Sequence, residues 1–536
     1  MSLLLPLSAS SLEFVSGSIS VSQPPWCSYQ GVICGNIYGL PDYMSIISID
    51  ISRRNLMGTL PSSIGNFQCV TSFVMASNSI NGIVPTTIGA LGRLQFLNLS
   101  SNGLNGTIPI VVSSLTLLAT LDLSSNRLSG TIPSIISNLA HLDNLSLNNN
   151  SLHGTLSTSL GNLTKLRILD ISHNSMTGAI PSTIGSMTAL VSLDLSRNIF
   201  TDTIPSSVGN LQSLISISLL NNYLSGSIPS QIYALKKLKV LNLGANFLSG
   251  TIPSFISDHL SLTSIASEAK NLKGTIPSTI GILSALEVFD LQDNRLVGKL
   301  PKGIGNLVSL KSIDFSNNHL SGTIPDTISA LSNLKTISLI FNRIKGTIPS
   351  AITTMKDLEN IFLASNILSG FIPSDIGNLT AVVFLSLSRN YLFGTIPTSL
   401  SLMKDIRYLD FRSNYLTMGT AATVSRSIFP LSLLVNGSIF LEDNCLRFEY
   451  IDYIVTPTHC RPTLSPTKIS SKVGPSAQNK SISQDIGIIK NNQISSYLGF
   501  LAFLAIFIVI LIFFVNYERV NKVHCSLDSQ GRESMR

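Results

Sequence analysis

The sequence predicts a solenoid of short parallel coils followed by one membrane-spanning helix. Three observations predict it. A pattern of Leu, Asn, Gly and Pro recurs every 24 residues between residues 54 and 414. Cysteines stand in pairs on both sides of that array. Leu498 to Val515 reads LGFLAFLAIFIVILIFFV, apolar throughout and without a charge. Only 12% of the 536 residues are charged, about half the usual share of a soluble domain. The net charge of +7 comes from 35 Lys and Arg against 28 Asp and Glu, without a basic run of five. A nucleic-acid partner is therefore not expected, because that footprint needs clustered cations. Seven His and six Cys stand in no metal-ligand spacing, so neither a metal site nor a cofactor is expected.

The elements follow in chain order. Residues 1–24 open with MSLLLPLSASS, a short apolar run without a basic start, and read as a weak signal-like or shortened leader. Residues 25–45 hold PPWCSYQGVIC, an N-terminal cap with Cys27 and Cys34. Residues 46–419 carry the repeats, as in LDLSSNRLSGTIP (Leu121 to Pro133), LDISHNSMTGAIP (Leu169 to Pro181) and LNLGANFLSGTIP (Leu241 to Pro253). Fixing the register at Asn126 gives 16 slots, with Asn in 14, Gly four residues later in 14 and Pro seven later in 14. Three residue types held in register over 360 residues define a leucine-rich repeat solenoid of 16 repeats.

Each slot has a physical reason. In LxxLxLxxN the Leu side chains of a short strand point inward and the intervening ones face the concave side, by the two-residue period of a strand. The Asn, with one acceptor and two donors, can satisfy backbone groups where the chain turns close to the core. Gly permits a turn closed to other residues, and Pro fixes φ while removing a donor. A single coil cannot cover its own apolar face, so stacking has to complete the core and both ends need caps. Arg54 and Lys270 occupy the two slots without Asn. The coil of Lys270, LTSIASEAK, also has Ser267 where Leu is expected. A buried ammonium is costly, so Lys270 is expected to swing outward or to pair with Glu268, with a local kink.

Past the repeats, residues 420–462 hold Cys445 and Cys460, a second cap. Paired cysteines at both ends fit disulfide-closed caps made in an oxidising compartment; Cys69, inside a repeat, is expected to be a lone thiol. Residues 463–496, rich in Ser, Thr, Pro, Lys and Gln, read as a disordered stalk. Residues 497–516 form the span, at about 1.5 Å per residue close to the hydrocarbon thickness, with Tyr497 and Tyr517 at its edges. Residues 517–536 are a short cytoplasmic tail with Arg519, Lys522, Arg532 and Arg536. Plasma-membrane location as a single-pass protein with its N-terminal part outside follows as the expectation. Eight Asn-x-Ser/Thr acceptors are consistent with it: Asn98, Asn105, Asn144, Asn149, Asn162, Asn378, Asn436 and Asn479.

The repeat LxxLxLSxNxLSGTIPxxIGNLxxL, with its WCSYQGVIC cap, resembles the plant-type leucine-rich repeat family over roughly residues 25 to 462. That family includes receptor-like kinases, receptor-like proteins without a kinase, and secreted inhibitors of wall-degrading enzymes. The resemblance implies an α/β-type repeat wound as a right-handed superhelix, with a concave parallel sheet and a second short sheet from the LSGTIP segments. No kinase signature follows the span, so the match is to the membrane-anchored receptor-like proteins. Their group implies an extracellular peptide or protein ligand and a transmembrane partner kinase. The alternative is a tethered, non-signalling binder, an adhesion protein or an inhibitor of a foreign hydrolase. The span offers Gly499, Ala502 and Ala505 as its small residues and no GxxxG.

Concave positions fall six, four, two and one residues before each slot. Most hold Ser, Asp, Asn or Thr, and Asp122, Asp170, Asp194, Asp290, Asp314 and Asp410 share one column, read as a solvated polar face. Ile340, Phe341, Phe362 and Phe384 depart from this in three successive coils. With strands about 4.8 Å apart they are expected to form an apolar patch for a ligand, beside Arg389 and Arg412 as receivers of an anion. No nucleophile with a base at motif spacing, Walker motif or kinase signature is present, so no catalytic residue and no enzyme is expected.

Overall fold

The computed structural model describes residues 27, 29–36, 44–254, 261–268, 271–417, 429–430, 438–442 and 444. The chain divides into two compact units, Met1–Arg461 and Pro462–Arg536, and every described residue lies in the first. Among the described residues no helix is long and apolar enough to cross a membrane. The expected span, stalk and tail lie outside them, as do Cys445, Cys460, Asn436 and Asn479.

The concave wall is an 18-stranded sheet. Its strands are mostly three residues long and pair in parallel without slippage, as in Leu121 opposite Leu145, then Leu169, then Leu193. A 24-residue period places the same Leu column at the same depth in every coil. The first strand, Val32–Asn36, is the exception, pairing antiparallel with Met44–Asp50. It covers the edge that the first parallel strand would otherwise leave open. Cys27 and Cys34 are joined by a disulfide, and Cys69 is a free thiol. Gly31 sits where this cap closes: its φ is +91°, and a Cβ there would meet the Asp50 carbonyl.

The core repeats with the coil. Leu121, Leu123, Leu128, Ile132, Ile136, Leu139 and Leu142 are all buried, and their equivalents run through the array. The second sheet is present in pieces, three of four strands and one of three. The Gly column occupies positive φ throughout, and Asp202, the one other described residue in that column, is held at φ 63°.

The convex elements correct the expected α/β-type repeat. They are 3-10 turns such as Ser182–Ser186 and Ser206–Asn210, these two entered from an extended Pro. Strands stack about 4.8 Å apart, whereas packed α-helices need about 8–10 Å. The slimmer 3-10 turn keeps convex and concave sides closer in pitch. Where Pro is missing, the Ser157 hydroxyl accepts the Ser159 N–H and starts the turn instead.

Asn side chains bind the coils together. The Asn126 amide donates to the carbonyls of Leu99, Leu123 and Ser124 at 3.0, 3.1 and 3.1 Å. Its oxygen accepts the Leu104 N–H at 3.0 Å. The same set recurs along the array and extends past the register read from the sequence. After a 30-residue interval the strand Ser438–Phe440 joins the sheet beside Tyr408–Asp410. Asn444 then takes the next rung, donating to Phe411 O and Leu441 O and accepting from Leu416 N–H. Residue 444 was invisible to the 24-residue frame because its spacing is longer. Lys270 lies outside the described residues. Near it Ser267 is buried with its hydroxyl unpartnered, beside a cavity of about 20 Å³ lined also by Leu243, Phe289 and Leu291.

Candidate ligand-binding face

The strands position a row of rings on the concave wall. Phe362 stands four residues before its slot, Phe384 and Tyr408 six before theirs, and Phe440 again four before. Strand pairing sets Phe384 beside Tyr408, and Asp410 beside Phe440. Ring centroids are 6.4 Å apart for Phe362–Phe384, 6.1 Å for Phe384–Tyr408 and 5.4 Å for Tyr408–Phe440. All four are half-buried. The rings therefore run continuously over four coils, separated by offsets typical of favourable aromatic pairs. Small, buried Ser338 and Ser386 lie beside Phe362 in the same column, which leaves the ring standing clear of its neighbours.

Phe362 and Phe384 are brought together as expected. Ile340 is half-buried on the adjacent coil, and Phe341 is exposed at a left-handed turn, φ 54°. That turn recurs one residue before nearly every slot, so Phe341 points from a bend and not from a strand. Tyr408 and Phe440 were missed in the sequence. Tyr408 shares the column of Phe384 and could have been found from it, whereas Phe440 lay in the segment assigned to the C-terminal cap.

The two arginines do not act alike. Arg412 is committed: its Nε and Nη2 donate to the two Asp410 carboxylate oxygens at 2.9 and 2.8 Å, and its guanidinium lies 4.6 Å over Phe440. Asp410 is buried, and the pair holds the guanidinium pKa above its ordinary value. Asp410 takes the Nε–Nη2 edge of the guanidinium, so an anion at Arg412 has the Nη1 side left to it. Arg412 also props the end of the ring row. Arg389 is exposed, at φ 53°, and makes no ion pair among the described residues.

The Asp column is not a merely solvated face either. Each Asp closes its strand by accepting from the residue two further on. Asp122 takes the Ser124 N–H at 3.0 Å and hydroxyl at 2.6 Å, and Asp170 does the same with Ser172. Where two such residues face each other the charge is disfavoured. Burial and the neighbouring Asp194 raise Asp170 to about 7, and burial and Asp314 raise Asp290 to about 8. Burial also raises Asp194 and Asp314. Asn98 occupies the same column, bonded to Ser100 in the same way. Of the expected glycan acceptors, Asn105, Asn149, Asn162 and Asn378 are exposed, while Asn98 and Asn144 are half-buried on concave strands.

Family models match in several stretches: a leucine-rich repeat region over residues 113–250, a leucine rich repeat over 332–392, and the leucine-rich repeat domain of an EGF-like domain-containing protein, ComC, over 210–329. No curated protein sequence matches the chain. Among solved structures, the TDR receptor is 27% identical with a TM-score of 0.64, over 74% of this chain and 76% of that one. The Arabidopsis receptor kinase HAESA ectodomain, solved with an N-terminally extended IDA peptide hormone, is 27% identical with a TM-score of 0.61, over 78% and 81%. A leucine-rich repeat protein of Leptospira interrogans is 30% identical with a TM-score of 0.50, over 69% of this chain and 90% of that one. Register, ladder and these likenesses agree that the chain belongs to the leucine-rich repeat family, in its plant receptor-like type.

Proposed function

We propose that this chain is a cell-surface receptor-like protein whose repeats bind an extended peptide along the ring row from Phe362 to Phe440, and that it signals through a partner kinase. The continuity of four rings across four coils carries the reading. A peptide laid across the strands meets a ring at each coil, with Arg389 beside the row to take a carboxylate. The role is binding and not catalysis. HAESA, solved with a peptide hormone, supports a peptide over other ligands. Attachment to the plasma membrane by residues 497–516, with the repeats outside, belongs to the same proposal.

The test is selection of a random peptide display library on the full-length chain in nonionic detergent. Enriched peptides are expected to lose binding at least tenfold on Phe384→Asp, since a carboxylate set among rings removes apolar contact and adds an unpaired charge. Retained affinity on both Phe384→Asp and Phe362→Asp would place the ligand elsewhere. For signalling, a transmembrane kinase co-purifying from the native membrane, and lost when Leu498 to Val515 is replaced, supports the partner. Hydrolases co-purifying without a kinase favour the tethered binder.

A further inference from the structure

A second face, independent of the ring row, has its own chemistry. On the flank formed by the second sheet, the residues one, three and five after each Asn slot point outward, as the strand Arg295–Lys299 shows with side chains alternately exposed and covered. Across the repeats these three columns hold no Asp or Glu at all. They hold six Lys or Arg, of which Arg127 stands alone and five are gathered in the coils from 270 to 342: Lys273, Arg295, Lys299, Arg343 and Lys345. All five are exposed, and none makes an ion pair among the described residues. Two cations on the concave strands of these coils behave differently, while Lys302 in a convex turn is exposed without an ion pair among the described residues. Lys311 and Lys335 each hold a glutamate at 2.7 Å.

Backbone pairing makes the five neighbours. Lys273 is in register with Arg295, and Val297 with His319. Arg343 and Lys345 donate their N–H groups to Leu320 O and Gly322 O of the coil before. At about 4.8 Å per coil and 3.3 Å per residue, the strip measures roughly 15 Å by 13 Å. Exposed Thr275, Thr323 and Thr347 lie between the charges. The row one residue past the slots continues beyond the cations as exposed Tyr223 and Phe247 on one side and Tyr391 and Tyr415 on the other. Asp293 and Asp326 mark the two borders of the strip, one before the slot and one in the next convex turn.

We propose that this strip binds a linear acidic polysaccharide. Cations without an ion pair on three of four successive coils suit a polymer that carries anions along its length. Hydroxyls between them suit ring hydroxyls, and flanking aromatic rings suit the apolar faces of sugars. Carboxylate and sulfate polymers share this chemistry.

The test uses the full-length chain in nonionic detergent against immobilised polygalacturonate, heparin, a neutral cello-oligosaccharide and single-stranded DNA, over a range of salt. One variant replaces the five cations by Ser or Thr, the residues those columns hold in other coils. A second removes five exposed lysines elsewhere, Lys165, Lys236, Lys237, Lys239 and Lys404, for the same loss of charge. Salt-sensitive binding to polygalacturonate or heparin that falls at least ~10-fold in the first variant, and less than threefold in the second, supports the strip. Which polymer binds identifies carboxylate or sulfate as its anion. Equal loss in both variants, retention in the first, equal binding of the neutral sugar, or tighter binding of DNA overturns it. Phe384→Asp leaves this binding unchanged, so failure of the ring-row reading is seen separately.

Discussion

At the scale of single residues, the buried Asn is the most demanding position in the chain. Asn222 donates to Leu195 O, Leu219 O and Leu220 O at 3.1, 3.1 and 3.4 Å and accepts the Phe200 N–H at 3.0 Å. Replacing it by Ala strands a buried N–H and carbonyls in two coils. We expect Asn222→Ala to cost about 2–4 kcal/mol, read by hydrogen exchange as faster opening confined to the coils holding residues 195 and 219. Uniform protection would show that the ladder does not hold those coils together. The ladder was legible because a lone recurring Asn in an apolar frame has few other uses. The Asp column was not, since the same residue in the sequence serves equally as a surface charge or as a turn closure. Only the bonds to the residue two further on distinguish them. Phe341 shows the same limit: its column follows from the slot, but the left-handed turn that aims it leaves no mark in residue type.

At the scale of the element, coil and register were read almost whole, because Leu, Gly and Pro each report one local requirement. The convex turn was misjudged for a reason of spacing between neighbours, which no single repeat contains. The irregular coil near residue 270, read in the sequence as a local kink around Lys270, shows a packing defect at Ser267. Ser267 replaces the Leu found at its equivalents Leu243 and Leu291, and the cavity lies there. Ser267→Leu should therefore stabilise the protein by about 1–2 kcal/mol, raising the denaturant midpoint. An unchanged or lower midpoint would mean that the neighbouring side chains have already closed on the space. The ring row extends two strands beyond its expectation, to Tyr408 and to Phe440, whose strand follows after 30 residues and not 24.

At the scale of the molecule, a periodic sequence can put like beside like, as it sets Asp170 beside Asp194 and Asp290 beside Asp314. The raised carboxyls at Asp170 and Asp290 bind their protons more tightly folded than unfolded. Their contribution is complete below the ordinary carboxylate range and is lost as pH rises through about 7 to 8. Melting temperature is expected to fall between pH 5 and pH 9. Asp290→Asn, a residue the column already accepts at Asn98, should recover on the order of 1–3 kcal/mol at pH 9 and flatten the profile. A profile unaffected by this change would place the titration elsewhere. The same periodicity gives the ladder a direction. Each Asn satisfies backbone groups of the coil before it, as Asn126 does for Leu99 and Leu104. A chain emerging N-terminus first thus completes every coil only when the next 24 residues have been made, and a chain cut short always ends in an unfinished coil. Asn444, set past a longer interval, is the rung that finishes the coil of Asn414; a chain ending before it carries every earlier repeat and still lacks the group that closes the last one.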